Sequence, residues 1–309
     1  MNHPPEPWSD SPTPHPGHTP VMLEHVLHRL DPRPADLAVD CTVGLAGHAL
    51  PIFQRISPGG RLIGLDADPA NLCIARERFP QNAAVDLIHT HFAQLPQALA
   101  SIRIPPQTVN ILLADLGICS THLDQPERGF SFQADGPLDM RLSPDGPRTA
   151  ADLLETLTEL QLADLIYKLG DEPASRRIAR AICTARAHTP IQRTAQLARI
   201  VEQATGYRNG RTHPATRTFQ ALRIAVNDEL QQLQALLEAL PELLAPGARV
   251  AIISFHSLED RLVKQAFRNG ERAGLYQTLD PRPAQPVPAE VRDNPRARSA
   301  KLRAIRKLG

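Results

Sequence analysis

The chain has 309 residues, a hydrophobic content of 42% and a formal net charge of +1. This length suffices for one large domain or two modest ones, and no apolar run approaches the ~20 residues that span a bilayer. The N-terminus has no apolar signal core, and the four cysteines form no CxxC pair. The sequence therefore predicts a cytoplasmic protein with neither a metal site nor a disulfide framework.

The first half of the chain alternates short apolar strands with helices. Residues 1–17, rich in proline, serine and histidine, predict a disordered tail, and order is expected from His18 into a helix over 22–30. Strands are predicted at 37–40, 61–66, 85–89 and 110–115. Near-continuous apolar strands separated by helices are typical of a parallel sheet covered on both faces. The predicted fold class is α/β, a doubly wound Rossmann-like core.

The pattern changes after residue 115. Residues 120–148 are polar and predict a loop, whereas 150–205 predict helices near 153–166, 175–187 and 194–204 without strands. A long helix over 216–244 and a last strand over 249–255 follow. We therefore expect an inserted all-helical domain: a tail over 1–17, core over 18–125, loop and helical insertion over 126–212, and core again over 213–309.

Three of the predicted strands end in an acid, namely Asp40, Asp66 and Asp115. Ligands of open α/β sheets bind beyond these strand ends. Three acids would repel a phosphate-rich ligand, whereas S-adenosylmethionine (SAM) carries an ammonium, a sulfonium and ribose hydroxyls. Asp66 follows Asp40 at about the spacing of a ribose-binding acid. The pattern predicts SAM as the cofactor, although a strand-end Asp can also only cap the next helix.

The turn after the first strand holds Gly44 and Gly47 but is not GxGxxG. It can pass close to a ligand without forming a pyrophosphate cradle. Phe92 follows the third strand, where it could pack on an adenine or belong to the core.

Basic residues concentrate at the C-terminal end. Residues 261–309 contain 12 Lys/Arg and four acids, and 30 of the 34 basic residues of the chain are arginines. Such a segment predicts contact with a polyanion. A GC-rich genome that favours arginine codons would also explain the arginine bias.

Several motifs, in order over about 18–309, resemble those of the bacterial 16S ribosomal RNA cytosine-N4 methyltransferases, the MraW/RsmH family. They are HTPVML from residue 18, GLDADP from 64, DLG from 115, ERGFSF from 127, DGPLDMR from 135, HPATRTFQALRI from 213, VNDEL from 226, SFHSLEDR from 254 and NPRARSAKLR from 294. The resemblance implies SAM-dependent methylation of the exocyclic N4 of a specific cytidine in the decoding region of 16S rRNA, within the small ribosomal subunit.

The resemblance also implies site residues. Cofactor contacts are expected from Ala46, Gly47, His48, Asp66, Phe92, Asp115 and His122. His122 stands where the family has Gln, and the turn at 41–49 departs most from the family pattern. Because Ala46 adds a Cβ where the family has glycine, we expect weaker SAM binding unless its φ is negative.

For the chemistry, Asp115 or a neighbouring backbone carbonyl is the candidate acceptor for the target amine; alternatively Asp115 only contacts the cofactor. Candidate substrate and RNA contacts are Asp139, Arg141, His213, Arg217, Arg296, Arg298, Lys301 and Arg303. Asp139 and Arg141 could instead form loop-stabilising ion pairs. Arg223 and Asn227 share a helical spacing with His213 and Arg217 and could line the site, or they could serve packing around the long helix.

Two other functions stay open at this stage: a SAM-dependent methyltransferase acting on another substrate, and a non-catalytic SAM- or RNA-binding protein. The sequence also leaves the choice between monomer and homodimer open.

Overall fold

The computed structural model describes residues 19–206 and 213–309; the predicted tail and His18 lie outside the described residues. The helices are α1 (Leu23–Leu30), α2 (Ala49–Ile56), α3 (Pro69–Glu77), α4 (Leu95–Ser101), α5 (Ser120–Asp124), α6 (Ala150–Thr156), α7 (Glu159–Gly170), α8 (Ser175–Arg186), α9 (Thr194–Thr205), α10 (Thr216–Val226), α11 (Glu229–Leu243), α12 (Ser257–Arg272) and α13 (Pro288–Asp293). The strands are β1 (Leu37–Asp40), β2 (Arg61–Asp66), β3 (Val85–His89), β4 (Val109–Asp115), β5 (Leu244–Ser254), β6 (Tyr276–Thr278) and β7 (Lys301–Lys307).

These strands form one seven-stranded sheet in the order β3-β2-β1-β4-β5-β7-β6. The first five strands of this order are parallel. The chain runs outward from β1 in one direction through β2 and β3, and in the other through β4. The loops after β1 and β4 therefore diverge and leave a crevice between them.

Helices cover both faces of the sheet. The strand residue Ile111 packs in one apolar cluster with residues of α1, α2 and α3. Leu112, which points to the other face, packs with residues of α4, α11 and α12. The doubly wound α/β prediction is thus confirmed.

The basic C-terminal segment enters the sheet, which the sequence did not predict. β7 runs antiparallel between β5 and β6, with Leu302, Ala304 and Ile305 buried. Two of its cations are tied to the core: Lys307 donates to two backbone carbonyls, and Arg303 pairs with Asp260 at 2.7 Å.

Helices α6 to α10 follow β4 and pack around an apolar cluster of their own. This cluster extends through α10 to Val226, beyond the predicted boundary at 212. The chain then returns to the sheet through α11 and β5, which pairs directly with β4. In the described residues no helix is long and apolar enough to cross a membrane.

Three predicted segments are divided differently. The helix expected near 153–166 is two, because Thr158 and Gln161 form a capping box that starts α7. The helix expected over 216–244 ends at Val226 and restarts after Asp228, which has a φ of +49°. The loop expected over 120–148 contains the short α5.

Candidate cofactor site

A cavity lies at the carboxyl ends of β1, β2 and β4, where the strand order reverses. We call it the cofactor cavity. Of the seven predicted cofactor contacts, six line it, namely Gly47, His48, Asp66, Phe92, Asp115 and His122. These residues come from five separate stretches of sequence, and parallel strands bring their ends to one edge of the sheet.

The turn between β1 and α2 carries two residues in the left-handed region, Gly44 at φ +49° and Ala46 at φ +59°. The amide of Gly44 donates to Asp66 Oδ2 at 2.8 Å. Ala46 is fully buried in the apolar cluster beneath the turn, and it is not among the residues that line the cavity in the described chain. The φ of Ala46 is positive, which is the case in which the sequence predicts weaker SAM binding, but its buried side chain lies in the core and not in the described lining of the cavity.

Asp66 ends β2 and is held by the backbone. Its two oxygens accept hydrogen bonds from the amides of Gly44 and Asp68, both at 2.8 Å. Burial raises the pKa of Asp66 above its usual range. A hydroxyl or a cation of a ligand would satisfy the carboxylate without displacing these bonds.

Asp115 ends β4 and faces His48 across the cavity. The distance from Asp115 Oδ2 to His48 Nδ1 is 3.6 Å, and His48 Nε2 donates to the carbonyl of Val21 at 2.9 Å. Asp115 Oδ1 is buried without a hydrogen-bond partner in the described residues. Burial, with the negative charges of Asp40 and Glu259, raises the pKa of Asp115 well above its usual range. A buried carboxylate oxygen without a partner is costly unless a ligand supplies one.

His122 is the buried centre of a hydrogen-bonded group beside the cavity. Its Nε2 lies 2.8 Å from Asp68 Oδ2, which also accepts from Arg128 at 2.5 Å. Burial alone would raise the pKa of Asp68, but the hydrogen bonds from His122 and Arg128 hold it well below the usual range. Asp68 is therefore an anion and Nε2 the donor, while His122 Nδ1 is buried and has no hydrogen-bond partner among the described residues.

Several other lining residues were given no cofactor or catalytic role from the sequence, among them Thr42, Leu142, Phe255 and Asn294. Thr42 accepts from the Asp115 amide at 2.7 Å, and Leu142, Phe255 and Asn294 form the outer walls. Phe255 and Asn294 lie within quoted motifs, so the motif positions were the available signal. Thr42 and Leu142 carry no such chemical signal, and only the fold brings them to the cavity.

The predicted substrate and RNA contacts are spread over several places. Asp139 and Arg141 form a two-pronged ion pair at 2.7–2.8 Å, which braces their loop. His213 pairs with Glu202 at 2.7 Å and stacks at 4.4 Å on Phe132. None of these lines the cofactor cavity in the described chain.

The remaining predicted contacts lie elsewhere. Arg217 donates to the carbonyl of Asp171 at 3.0 Å, within the helical part. Arg296 lines the cofactor cavity, whereas Arg298 and Lys301 line a second cavity. Arg303 lines neither of these two cavities.

The cofactor cavity fits SAM better than a dinucleotide. Among the described residues, its lining has two carboxylates, Asp66 and Asp115, and one guanidinium, Arg296, which pairs with Asp124 at 2.7 Å. The partnerless oxygen of Asp115 needs a donor or a cation. SAM brings an ammonium, a sulfonium and ribose hydroxyls, all of which suit carboxylates, and it brings no phosphate.

The comparisons with known proteins decide the family. The family model described as the MraW methylase family matches residues 15–308. The chain belongs to the MraW methylase family. Its cofactor is accordingly SAM, as the strand-end acids predicted.

Similar proteins support this assignment along nearly the whole chain. The chain is 47% identical to the ribosomal RNA small subunit methyltransferase H of Acidobacterium capsulatum, over 94% of this chain and 98% of that protein. The protein of the same name from Sorangium cellulosum is also 47% identical, with 94% and 91% covered. Among solved structures, an rRNA methylase from Streptococcus thermophilus superposes with a TM-score of 0.41 at 11% identity, covering 93% of this chain and 94% of that one.

Proposed function

We propose that this MraW-family methylase transfers a methyl group from SAM to the exocyclic N4 of a specific cytidine in the decoding region of 16S rRNA, acting on the small ribosomal subunit. The relatives named ribosomal RNA small subunit methyltransferase H support the RNA substrate. The motif resemblance supports the base and the target atom. The observation that carries the chemistry is the buried, partnerless Oδ1 of Asp115 in the cofactor cavity.

The amine of cytosine is a weak nucleophile, because its lone pair is delocalised into the ring. Bound SAM supplies an electrophilic methyl group. Asp115 Oδ1 is placed to accept a hydrogen bond from the amine, which favours localisation of the lone pair on nitrogen. As the new N–C bond formed, the bond from sulfur to the methyl carbon would break and leave a neutral thioether. The nitrogen would lose a proton, for which the Asp115 carboxylate is the acceptor proposed.

Other residues are assigned to binding and orienting the cofactor. Asp66 is assigned to the ribose hydroxyls, Phe92 to the adenine face, and the turn through Gly47 to the backbone contacts of the cofactor. His48 donates from Nε2 to the carbonyl of Val21, which places its Nδ1 3.6 Å from Asp115 Oδ2, beside that carboxylate. In-line transfer depends on this positioning.

The target cytidine must leave its stack to reach Asp115. Exposed or splayed bases are the usual targets of sequence-specific RNA recognition. The helical part between β4 and β5 is the surface we assign to the surrounding RNA. A cytoplasmic location is part of this proposal, since the small subunit is the substrate.

Nucleoside mass spectrometry tests the proposal. Small-subunit rRNA from cells that lack this protein should lose N4-methylated cytidine at one position, and the purified protein should restore it with labelled SAM. Unchanged N4 methylation would overturn the proposed target. Transfer to another RNA atom or to a protein would favour a different substrate, and SAM binding without any transfer would favour a non-catalytic role.

A further inference from the structure

A second cavity lies beside the cofactor cavity, and Phe255 forms a wall of both. We call it the basic cavity. Its other lining residues come from the start of α12 and from the segment leading into β7, and they are His256, Ser257, Gln285, Arg298, Ser299, Ala300 and Lys301. The ring of Phe255 also lies close to Gly117, in the Asp-Leu-Gly motif after β4. A Cβ placed on Gly117 would lie 3.6 Å from Cδ2 of this ring.

The lining of the basic cavity is cationic and polar. It contains Arg298 and Lys301 and, within the described chain, no carboxylate. Lys301 lies 3.3 Å from Asp260, but Arg303 holds the same carboxylate more closely, at 2.7 Å. Arg298 is exposed and forms no ion pair with a described residue. Lys301 and Arg303 thus share Asp260, while two further acids lie at the start of α12, where Asp171 accepts from Ser257 and Glu259 accepts from two backbone amides. Arg298 is therefore the lining cation whose charge is left for a ligand.

The start of α12 borders the cavity, and its first-turn acids Glu259 and Asp260 offset part of the helix dipole. This helix has 16 residues and begins at Ser257, in the wall of the cavity. Amides in the first turn of a helix, and its dipole, attract anions. His256 adds a ring nitrogen, Nε2, that is buried and lacks an aligned hydrogen bond among the described residues, although it lies 3.1 Å from Glu259 Oε1.

We propose that the basic cavity binds a phosphodiester of the RNA strand next to the target nucleotide. The inference rests on the proposed function and names the contact that holds the nucleotide. A nucleotide that passes Phe255 can place its base against the cofactor cavity and its flanking phosphate among Arg298, Lys301 and the α12 amides. Arg298 is then a positioning residue for RNA, distinct from the groups that bind the cofactor.

Two variants and one control test this assignment. Arg298→Gln removes the cation that has no ion-pair partner, and Ser299→Leu narrows the cavity without a change of charge. Arg282→Gln is the matched control, since Arg282 is exposed and lines neither cavity. Thermal melts establish that each variant folds, and calorimetry establishes that each binds SAM as the wild type does.

The readouts are the affinity for a small-subunit rRNA fragment at several salt concentrations, and KM and kcat for methylation. We expect Arg298→Gln to weaken RNA binding about tenfold, the scale of one charge-assisted contact, and to lower the salt slope by about one. KM should rise by a similar factor with kcat nearly unchanged. Ser299→Leu should weaken binding with the wild-type salt slope, and Arg282→Gln should match the wild type.

The outcomes separate this inference from the proposed function. Equal RNA affinity and equal salt slope for wild type and Arg298→Gln would overturn the phosphate assignment, even if rRNA is methylated. Equal losses in Arg298→Gln and Arg282→Gln would also overturn it, because the effect would then be general surface charge. A wild-type protein that methylates no rRNA, yet binds RNA through Arg298, would contradict the proposed function alone.

Discussion

Asp115 is the residue on which the proposed chemistry depends. Its Oδ1 is buried without a partner in the described residues, and burial raises its pKa well above the usual range. Only the ionised carboxylate accepts a hydrogen bond on both oxygens. Activity should therefore rise with pH through this raised pKa, since deprotonation creates the active form.

Replacement of Asp115 by Asn should lower the single-turnover rate at saturating SAM at least ~100-fold, the usual scale for an acid–base group. The same variant should lose the rise of the rate with pH. Single-turnover assays from pH 5.5 to 9 give both results. A rate within about twofold of the wild type would show that Asp115 serves the cofactor only.

Ala46 shows where residue-level reasoning from the sequence stopped. The motif showed that Ala46 lies in the cofactor turn. It did not show in which direction the Cβ of Ala46 points. Because the methyl group is buried in the core, Ala46→Gly loses about 0.8 kcal/mol of burial and gains about as much from relief of the positive φ. Calorimetry should find SAM affinity within about twofold of the wild type; clearly tighter binding would restore the conflict that the sequence suggested.

At the scale of elements, the strands and their acids were predictable because buried parallel strands have a strong apolar signal. Breaks within helical segments were not, since periodicity continues across Thr158 and across Asn227–Asp228 while capping and a positive φ end the helix. β7 was also missed. The alternation of apolar and polar residues in β7 is masked by long cationic side chains. Their aliphatic stems can pack on the core, while their charged ends pair with acids such as Asp260.

Asn227, at the break between α10 and α11, fastens a loop to the helical part. Its side chain accepts from the Leu142 amide at 2.8 Å and donates to the carbonyl of Met140 at 2.8 Å. Leu142 lines the cofactor cavity, so these two hydrogen bonds connect the end of α10 to the wall of that cavity.

Substitution of Asn227 by Ala should lower the free energy of unfolding by about 1–3 kcal/mol, because it leaves buried backbone groups without partners. It should also weaken SAM binding severalfold through the displaced loop. Urea denaturation and SAM titration measure the two effects. Asn269→Ala on the exposed face of α12 should change neither; a normal SAM affinity in the Asn227 variant would show that the loop keeps its place without this side chain.

For the molecule as a whole, the acids at the strand ends set the pH dependence of stability. Burial raises the pKa of Asp40 to about 7, and it also raises those of Asp66 and Asp115. Between the ordinary carboxyl pKa of ~4 and these raised values, the folded state binds more protons than the unfolded state. The contribution of these acids to stability is therefore present at low pH and is lost as pH rises through 7.

We expect the melting temperature of the ligand-free protein to rise as pH falls from 8 to about 5.5. Asp68, Glu259 and Asp260 have lowered pKa values, so their contributions are lost only below about pH 4. Asp40→Asn should reduce this dependence of the melting temperature on pH. Bound SAM should reduce it in part, because its positive charge favours the ionised form of the acids. Differential scanning calorimetry checks this; a melting temperature that falls over the same interval would contradict it.

The placement of β5 has a consequence for synthesis of the protein on the ribosome. β4 pairs with β5, yet residues 116–243 separate them in the chain. At a synthesis rate of about 5–20 residues per second, β5 follows β4 on the order of ten seconds later. During that time one apolar edge of β4 has no paired strand. The helical part emerges during that interval and can collapse locally before the sheet closes. Early folding of these helices would shorten the span that must be closed and shield the waiting strand from other nascent chains.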